Sequence, residues 1–515
     1  MKKLLALLLV ALIAVSLLPI AASAQELEHM DLTVSLWDIE NSFPEGKEKD
    51  AILKAVEEKF NVTFIPMNVG WDGYADKMNV WAASGSLPDI TGGIDWVGSG
   101  TYLAWVEDGV VRPLPDDMSA YPNIAKYMAL PEVTAYQRNG HNYFMPRMTY
   151  QDPTYWNMDR GMMIRKDWLK ALGLEMPKTA EELKAVLEAF LGGNPDGDDA
   201  VDIIAMANNG VTLTSMHLPT FGYTDNRWVK IGDEWKMACY EEAAIPLINY
   251  FRTLYKEGLF DPDFASRATN DAQQLFANGR VGVLIKQVSP NHIKKVYDYW
   301  VVAQPDKNFF DCVAIIPFEG ENCYQFQEMS YWSETYIPST VSDEKMERIL
   351  SIMDYLYSEE GMKFVTYGFE GEDYRYDENG NIVLTLPVNE TGKMMLLKDK
   401  YPGAAFLGDL AQWDGDLLQY IDPNIPQEIR DMCTAEYERR RDTWKHPNLD
   451  WEIASLDLPE KLDMTVQTKD WYTVVADTSD KTTEELYKEK LVLWNSQGYE
   501  ACWKAVTEAA KKLGK

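Results

Sequence analysis

Between residues 32 and 90 the chain alternates short apolar runs with helical periods, and this rhythm narrows the possible folds more than any other feature. Leu32-Thr-Val-Ser-Leu-Trp37 alternates like a half-buried strand and ends at Asp38. Glu48 to Phe60 follows as a helix, with Ile52, Val56 and Phe60 on one stripe. Val62 to Pro66 reads as a second strand. Met78 to Ser84 reads as a second helix, stopped by Gly85-Ser-Leu-Pro-Asp-Ile90. Parallel strands cannot be joined by a tight hairpin, so strand–helix–strand–helix order implies an α/β sheet with crossover helices. In such sheets ligands collect beyond the carboxyl ends of the strands. Asp38 and the pair Asp95-Trp96 are expected there.

The pattern continues. His141 to Pro146 and Gly161 to Arg165 read as strands around a polar, aromatic loop holding Tyr155, Trp156 and Asn157. Thr179-Ala-Glu-Glu182 is a capping box opening a helix with Leu183, Val186, Leu187 and Phe190 inward. Arg280 to Ile285, Val313 to Pro317 and Gln327 to Ile337 read as later strands, and helices dominate from Ser342. No internal repeat or long low-complexity linker is present, so several short crossings should join the folded units.

Charge and cysteine usage exclude some functions. Against 49 basic residues stand 81 acidic ones, a net charge of −32, which repels nucleic acid and anionic lipid. Lys2 and Lys3, the apolar run Leu4 to Ile20 and Ala22-Ser-Ala24 form an export signal over residues 1–24, expected to be cleaved before Gln25. No later apolar run approaches a membrane span, so no membrane insertion is expected after cleavage. The first cysteine is Cys239, so the cysteine of a bacterial lipid anchor is absent. The expected location is periplasmic, extracellular or cell-surface associated, without a lipid anchor. The five cysteines have no CxxC spacing and read as buried small hydrophobes, although Cys312 and Cys323 flank a stretch that a hairpin disulfide would also suit.

Two constellations carry chemistry. Asn194-Pro-Asp196-Gly-Asp198-Asp-Ala200-Val-Asp202 places side-chain oxygens at positions 1, 3, 5 and 9 of a calcium loop, with the Ala200 carbonyl at position 7. Position 6 is Asp199 instead of glycine, and position 12 is Ala205 instead of a bidentate glutamate. A structural Ca2+ is favoured over a plain acidic turn. The second constellation is aromatic. Among 17 tryptophans and 28 tyrosines, many stand beside Asp or Asn near strand ends. Sugar rings have apolar faces that pack on indoles and hydroxyl edges that need carboxylates and amides. Asp38, Trp71, Asp95, Trp96, Trp156 and Trp332 are the first candidates for ligand binding, then Lys286, just past an expected hinge strand, and Trp228. Arg147, Arg160 and Arg165 suit uronates or surface ion pairs. The five dispersed histidines and the absence of HExxH, GxSxG, GxGxxG and phosphate-loop patterns point to no enzyme.

Several stretches resemble the bacterial extracellular solute-binding proteins of the carbohydrate class, family 1, above all its long members related to LipO and the alginate-oligosaccharide binders. They are Ala83-Ser-Gly-Ser-Leu-Pro-Asp-Ile90, Ile164-Arg-Lys-Asp-Trp-Leu-Lys-Ala-Leu-Gly173, Leu254-Tyr-Lys-Glu-Gly-Leu259 and Phe276-Ala-Asn-Gly-Arg-Val-Gly282. Most specific is Asp354-Tyr-Leu-Tyr-Ser-Glu-Glu-Gly361, followed by Gly368-Phe-Glu-Gly371 and Asp377-Glu-Asn-Gly380. The resemblance implies an α/β, two-lobed, type II periplasmic-binding-protein-like fold with an interlobe cleft and extra C-terminal helices. Residues 25–147 with 283–338 are assigned to lobe 1, and 148–282 with 339–515 to lobe 2. It also implies a monomeric oligosaccharide receptor that closes about a hinge and delivers to the permease subunits of an ABC importer. The acidic loop falls where alginate-binding relatives carry calcium, although their acidic residue at loop position 10 is Ile203 here. The rival expectations are a receptor for a peptide or amino-acid derivative, and a secreted polysaccharide-degrading enzyme.

Overall fold

The computed structural model describes residues 27–515 apart from 71–72, 94–99, 150–154, 156–157, 159, 198–202, 209–217, 223–226, 268–269, 326, 328, 381, 389–393, 413–418, 421, 423 and 459–463. The strands used below are β1 (Met30–Ser35), β2 (Val62–Pro66), β3 (Ile90–Gly92), β4 (Met145–Met148), β5 (Met162–Arg165), β6 (Ile204–Asn208), β7 (Trp228–Ile231), β8 (Glu234–Met237), β9 (Val281–Ile285), β10 (Val313–Ile315) and β11 (Tyr331–Tyr336). One sheet has the order β2-β1-β3-β11-β4 and another the order β10-β5-β9-β6. In the first, β1 runs parallel to β2 and β3, while β11 is antiparallel to β3 and β4. In the second, β6 runs parallel to β9, and β5 is antiparallel to β9 and β10.

Local signals explain the elements. The Asp50 side chain accepts from the Leu53 amide at 2.9 Å and opens the Ala51–Phe60 helix, which buries Ile52, Leu53, Val56 and Phe60. Asn61, left-handed at φ 48°, ends that helix and turns the chain into β2. The Thr179–Glu182 capping box forms as expected, and its helix buries Leu183, Val186, Leu187 and Phe190.

Each sheet has its own core. Leu32, Val34, Phe64 and Ile90 pack with Ile349 and Met353 of the Asp343–Tyr357 helix and with Phe406 and Leu407 of the Gly403–Ala411 helix. In the second sheet successive residues face opposite sides, as a strand requires. Ile164 and Val283 join Leu187 and Phe251 on one side, and Met163 and Leu284 join Val296 and Trp300 on the other. These contacts correct the lobe assignment. Residues 283–325 stay with lobe 2, because β9 and β10 both hydrogen-bond to β5. Residues 339–411 return to lobe 1, because their helices complete the core under β1 and β2. From about residue 425 the chain packs on lobe 2, where Trp471, Tyr487, Trp494 and Tyr499 extend its core. β9 lies inside the second sheet and is not itself a hinge strand; Lys286, at its end, hydrogen-bonds Gly161 where the chain enters lobe 2. The chain leaves lobe 1 after Met148, returns to it before Tyr331 and leaves it again after Ala411, and no Gly/Ser-rich run in the sequence marks these points.

Strand direction places the crevice. β4 ends at Met148 on the edge where β1, β2 and β3 also end. The chain then enters β5 at the edge where β6 and β9 end, because β5 runs antiparallel to β9. The return from β10 to β11 joins the same two edges. The carboxyl ends of both sheets therefore face one another across the crossings. All five cysteines are buried and unbridged, Cys312 and Cys323 lying in different core clusters. Among the described residues no helix is long and apolar enough to cross a membrane.

Candidate ligand cleft

The lobe 1 rim is built where β1 runs out. Asp38 is left-handed at φ 55°, ψ 26°, a conformation that Asp tolerates better than most side chains. Its amide donates to the Val69 carbonyl at 2.9 Å and ties the β1 exit to the β2 exit. Gly70 lies beside two carboxylates: a Cβ there would stand 3.5 Å from Asp38 Oδ1 and 3.7 Å from Glu40 Oε1. Glu40 Oε2 is shielded from solvent and has no hydrogen-bond partner in the protein. A buried acceptor left this way is costly until a donor arrives, and a sugar hydroxyl supplies one. Sequence reasoning missed Glu40, because one more acid among 81 carries no signal.

Aromatics complete the rim. Trp332 is half-buried and meets Trp37 edge-on, with centroids 5.4 Å apart at 67°; Trp37 meets Tyr74 in the same way at 5.7 Å. The Arg147 guanidinium lies 4.4 Å over the Trp37 ring, and its Nε donates to the Asp409 carbonyl. Burial pulls the Arg147 pKa down, and Asp409 opposes that shift. Arg147 is fully buried under an indole, so it shapes the wall beneath the rim. Trp332 itself sits at an irregularity of β11 between Tyr331 and Glu334, where Ser333 takes φ 67°. Gly93 fits directly against that irregularity: a Cβ there would lie 2.5 Å from Ser333 Oγ and 2.9 Å from the Glu334 N and O. The candidates Trp71, Asp95, Trp96 and Trp156 lie outside the described residues. The strands that lead to Trp71 and to Asp95-Trp96 are β2 and β3, whose carboxyl ends border this rim.

Lobe 2 contributes the opposite edge. Lys286 follows β9, and its amide donates to the Gly161 carbonyl at 3.0 Å. The residue is 6% exposed, and its ammonium has no hydrogen bond or ion pair among the described residues. Burial, with the Lys295 charge, pushes its pKa down to about 7. Burial and the two lysines push neighbouring His292 to about 3, and its Nδ1 pairs with Ser289 Oγ at 2.7 Å. Tyr155 lies flat on Tyr437, with centroids 4.2 Å apart and 4° between planes. His292 and Tyr437 had no signal in the sequence, being brought to β9 by separate helices.

Trp228 opens β7 of a small hairpin. There it lines a hollow of about 500 Å³ with Phe221, Trp235, Pro447 and Asn448. A neighbouring cavity of about 590 Å³ lies between Pro131 and Thr134 of lobe 1 and Asn448 to Glu452, and Arg138 spans the lobes to Asp457 at 2.9 Å. Arg165 stands at the far end of β5, paired with Asp167 at 2.7 and 2.6 Å and laid over Trp168 and Trp300, so it is structural. The Arg160 carbonyl accepts from Arg440 at 2.6 Å.

At the acidic loop, Asn194 (φ 45°) caps the Ala180–Gly193 helix, and the Gly197 amide donates back to its carbonyl at 3.4 Å. Asp196 Oδ1 is shielded from solvent and has no hydrogen-bond partner in the protein. A carboxylate oxygen in that position suits a hard cation. Asp198, Ala200 and Asp202 lie outside the described residues. Ala205 is fully buried in β6, so loop position 12 is committed to the sheet, where a glutamate would enter the core.

Two α/β lobes joined by short crossings around a crevice of carboxyl strand ends define a two-lobed solute-binding protein. The chain belongs to the bacterial extracellular solute-binding proteins, whose family model matches residues 41–363. It is 25% identical over 446 residues to the fructooligosaccharide ABC transporter substrate-binding protein FusA of Streptococcus pneumoniae serotype 4, covering 76% of this chain and 77% of FusA. It is 26% identical over 418 residues to lipoprotein LipO of Bacillus subtilis strain 168, covering 77% of this chain and 74% of LipO. The fold is that of the alginate-binding protein AlgQ2, solved without calcium ion, with a TM-score of 0.67 at 18% identity over 94% of this chain and 98% of AlgQ2.

Proposed function

We propose that the chain is the extracytoplasmic receptor of an ABC importer and binds an oligosaccharide between its lobes without transforming it. The carrying observation is the lobe 1 rim. Paired indoles at Trp37 and Trp332 offer a face for a sugar ring, while Asp38 and the unpartnered Glu40 oxygen beside Gly70 accept from hydroxyls. Of the relatives, FusA is named a fructooligosaccharide ABC transporter substrate-binding protein, which supports this reading. Closure then becomes a population shift, because a sugar bridging both edges favours the closed state by its contacts to the second lobe. The permease reads that closed form.

The same reading includes export by the 1–24 signal, a monomer free of a lipid anchor at the periplasm or cell surface, and a structural calcium. Asn194, Asp196, Asp198 and Asp202 would hold the ion with the Ala200 carbonyl, and the orphaned Asp196 oxygen supports it. A calcium ion there would neutralise the loop between the capped helix and β6. Thermal-shift screening against neutral and acidic oligosaccharides and against peptides tests the function, since a ligand that binds only the folded, closed form raises Tm. A rise with a glycan and none with peptides is expected. A rise with peptides alone, or steady release of reducing ends from a polysaccharide, would overturn it.

A further inference from the structure

Lys286 is 6% exposed and its ammonium has no counter-charge among the described residues, a costly side-chain state for a protein to hold. The charged groups that act on it have its own sign: Lys295 and, if protonated, His292. The Pro290–Ala303 helix begins four residues later and adds positive potential from its amino end. Its backbone donors are not spare, because the Asn291 amide is taken by Gln419 Oε1 at 2.9 Å and the His292 and Ile293 amides return to the Ser289 carbonyl. Recognition there falls to the ammonium. The chain carries a net charge of −32, yet among the described residues no acid stands against this lysine.

The position is a ligand position. Lys286 stands at the carboxyl end of β9, on the edge that faces the other lobe, and hydrogen-bonds the segment that crosses between lobes through the Gly161 carbonyl. The Val288 amide binds the Met158 carbonyl of the same crossing. A Cβ at Gly161 would lie 2.7 Å from both Val288 methyls, so the crossing lies directly on this turn. Tyr155 of that crossing is stacked on Tyr437 and inclined to Tyr420 at 5.9 Å.

We propose that Lys286 is a specificity-determining residue that pairs with an acidic substituent of the bound oligosaccharide, the carboxylate of a uronic acid. The proposal rests on the oligosaccharide-receptor reading. A neutral sugar closing the cleft would leave the ammonium buried and unpaired, whereas a uronate neutralises it; discrimination follows from that difference.

Calorimetric titration of the full chain tests it, with galacturonate, glucuronate, mannuronate and guluronate tetrasaccharides and the carboxyl-reduced, neutral counterpart of each. At least one acidic form should bind about tenfold or more tightly than its neutral counterpart, the scale of a charge-assisted hydrogen bond. Lys286→Met should erase that difference, and Lys286→Arg should recover part of it. Met removes an unpaired buried charge, so the melting temperature of Lys286→Met should be no lower than that of the parent, which separates loss of binding from misfolding. Equal binding of acidic and neutral forms, or undiminished uronate affinity in Lys286→Met, overturns the proposal. If neutral glycans bind and no uronate does, the proposal fails and the receptor reading stands. If no glycan of either kind binds, the receptor reading fails and takes the proposal with it.

Discussion

Replacing Gly93 by alanine puts a methyl group where three atoms already stand: Ser333 Oγ at 2.5 Å and the Glu334 backbone N and O at 2.9 Å. Ser333 Oγ can rotate aside, but the Glu334 backbone belongs to β11, which pairs with both β3 and β4. Relief therefore requires the β11 irregularity to move, and a forced insertion of this kind costs about 1–3 kcal/mol. At an m-value of about 2–3 kcal/mol/M that shifts the urea midpoint by roughly 0.3–1.5 M. Because Trp332 precedes Ser333, the same displacement moves the half-buried indole off Trp37 and should weaken glycan binding. Gly70→Ala is the matched control, since its Cβ meets nothing closer than 3.5 Å and its φ is not positive. It should leave stability within about 0.5–1 kcal/mol of the parent. Equilibrium urea unfolding followed by Trp fluorescence, alongside titration with the best glycan, reads both effects. Parental stability and affinity in Gly93→Ala would refute the claim that Gly93 sets the position of Trp332.

Trp332→Ala should raise the glycan Kd by roughly 5- to 50-fold, through lost stacking and area, while costing less stability than a core tryptophan; titration and melting together check this. Apo stability should rise between pH 7 and 10, because the unfolded chain holds the Lys286 proton to its ordinary value near 10.4 while the folded chain releases it near 7. The rise should be absent from Lys286→Met in pH-dependent melting. His292 has the same sign lower down: its folded value of about 3 lies below the ordinary 6.5, so stability falls as pH drops from 6.5 toward 3. His292→Gln should flatten that segment. A chelator should lower Tm, and Asp196→Ala should abolish the chelator's effect, since the orphaned oxygen at this position belongs to the side chain it removes.

Some of the cleft is written locally. The Thr179–Glu182 cap, the Asp50 cap and the alternation of β1 follow from residues within a few positions of one another, as do the strand ends that place Asp38 at the rim. Trp332 is legible as an aromatic near a late strand, although its bulge is not. The lobe boundaries were not legible, because β9, β10 and the helices after residue 339 choose their lobe by pairing and packing with segments more than a hundred residues away. Trp228 shows the same limit: the sequence did not reveal that it opens a hairpin and shares a hollow with Pro447 and Asn448, more than two hundred residues away.

Periodicity, caps and the acidic loop are properties of neighbours along the chain, so the alternation of elements and the α/β class follow without coordinates. Which carboxylate lacks a partner, which arginine is stacked and spent, and which lysine is buried without a counter-charge depend on desolvation by distant segments. Glu40, Arg147, Arg165 and Lys286 acquire their roles in that way. Burial and pairing are sums over everything that surrounds a side chain in space, and only the packed tertiary structure contains those terms.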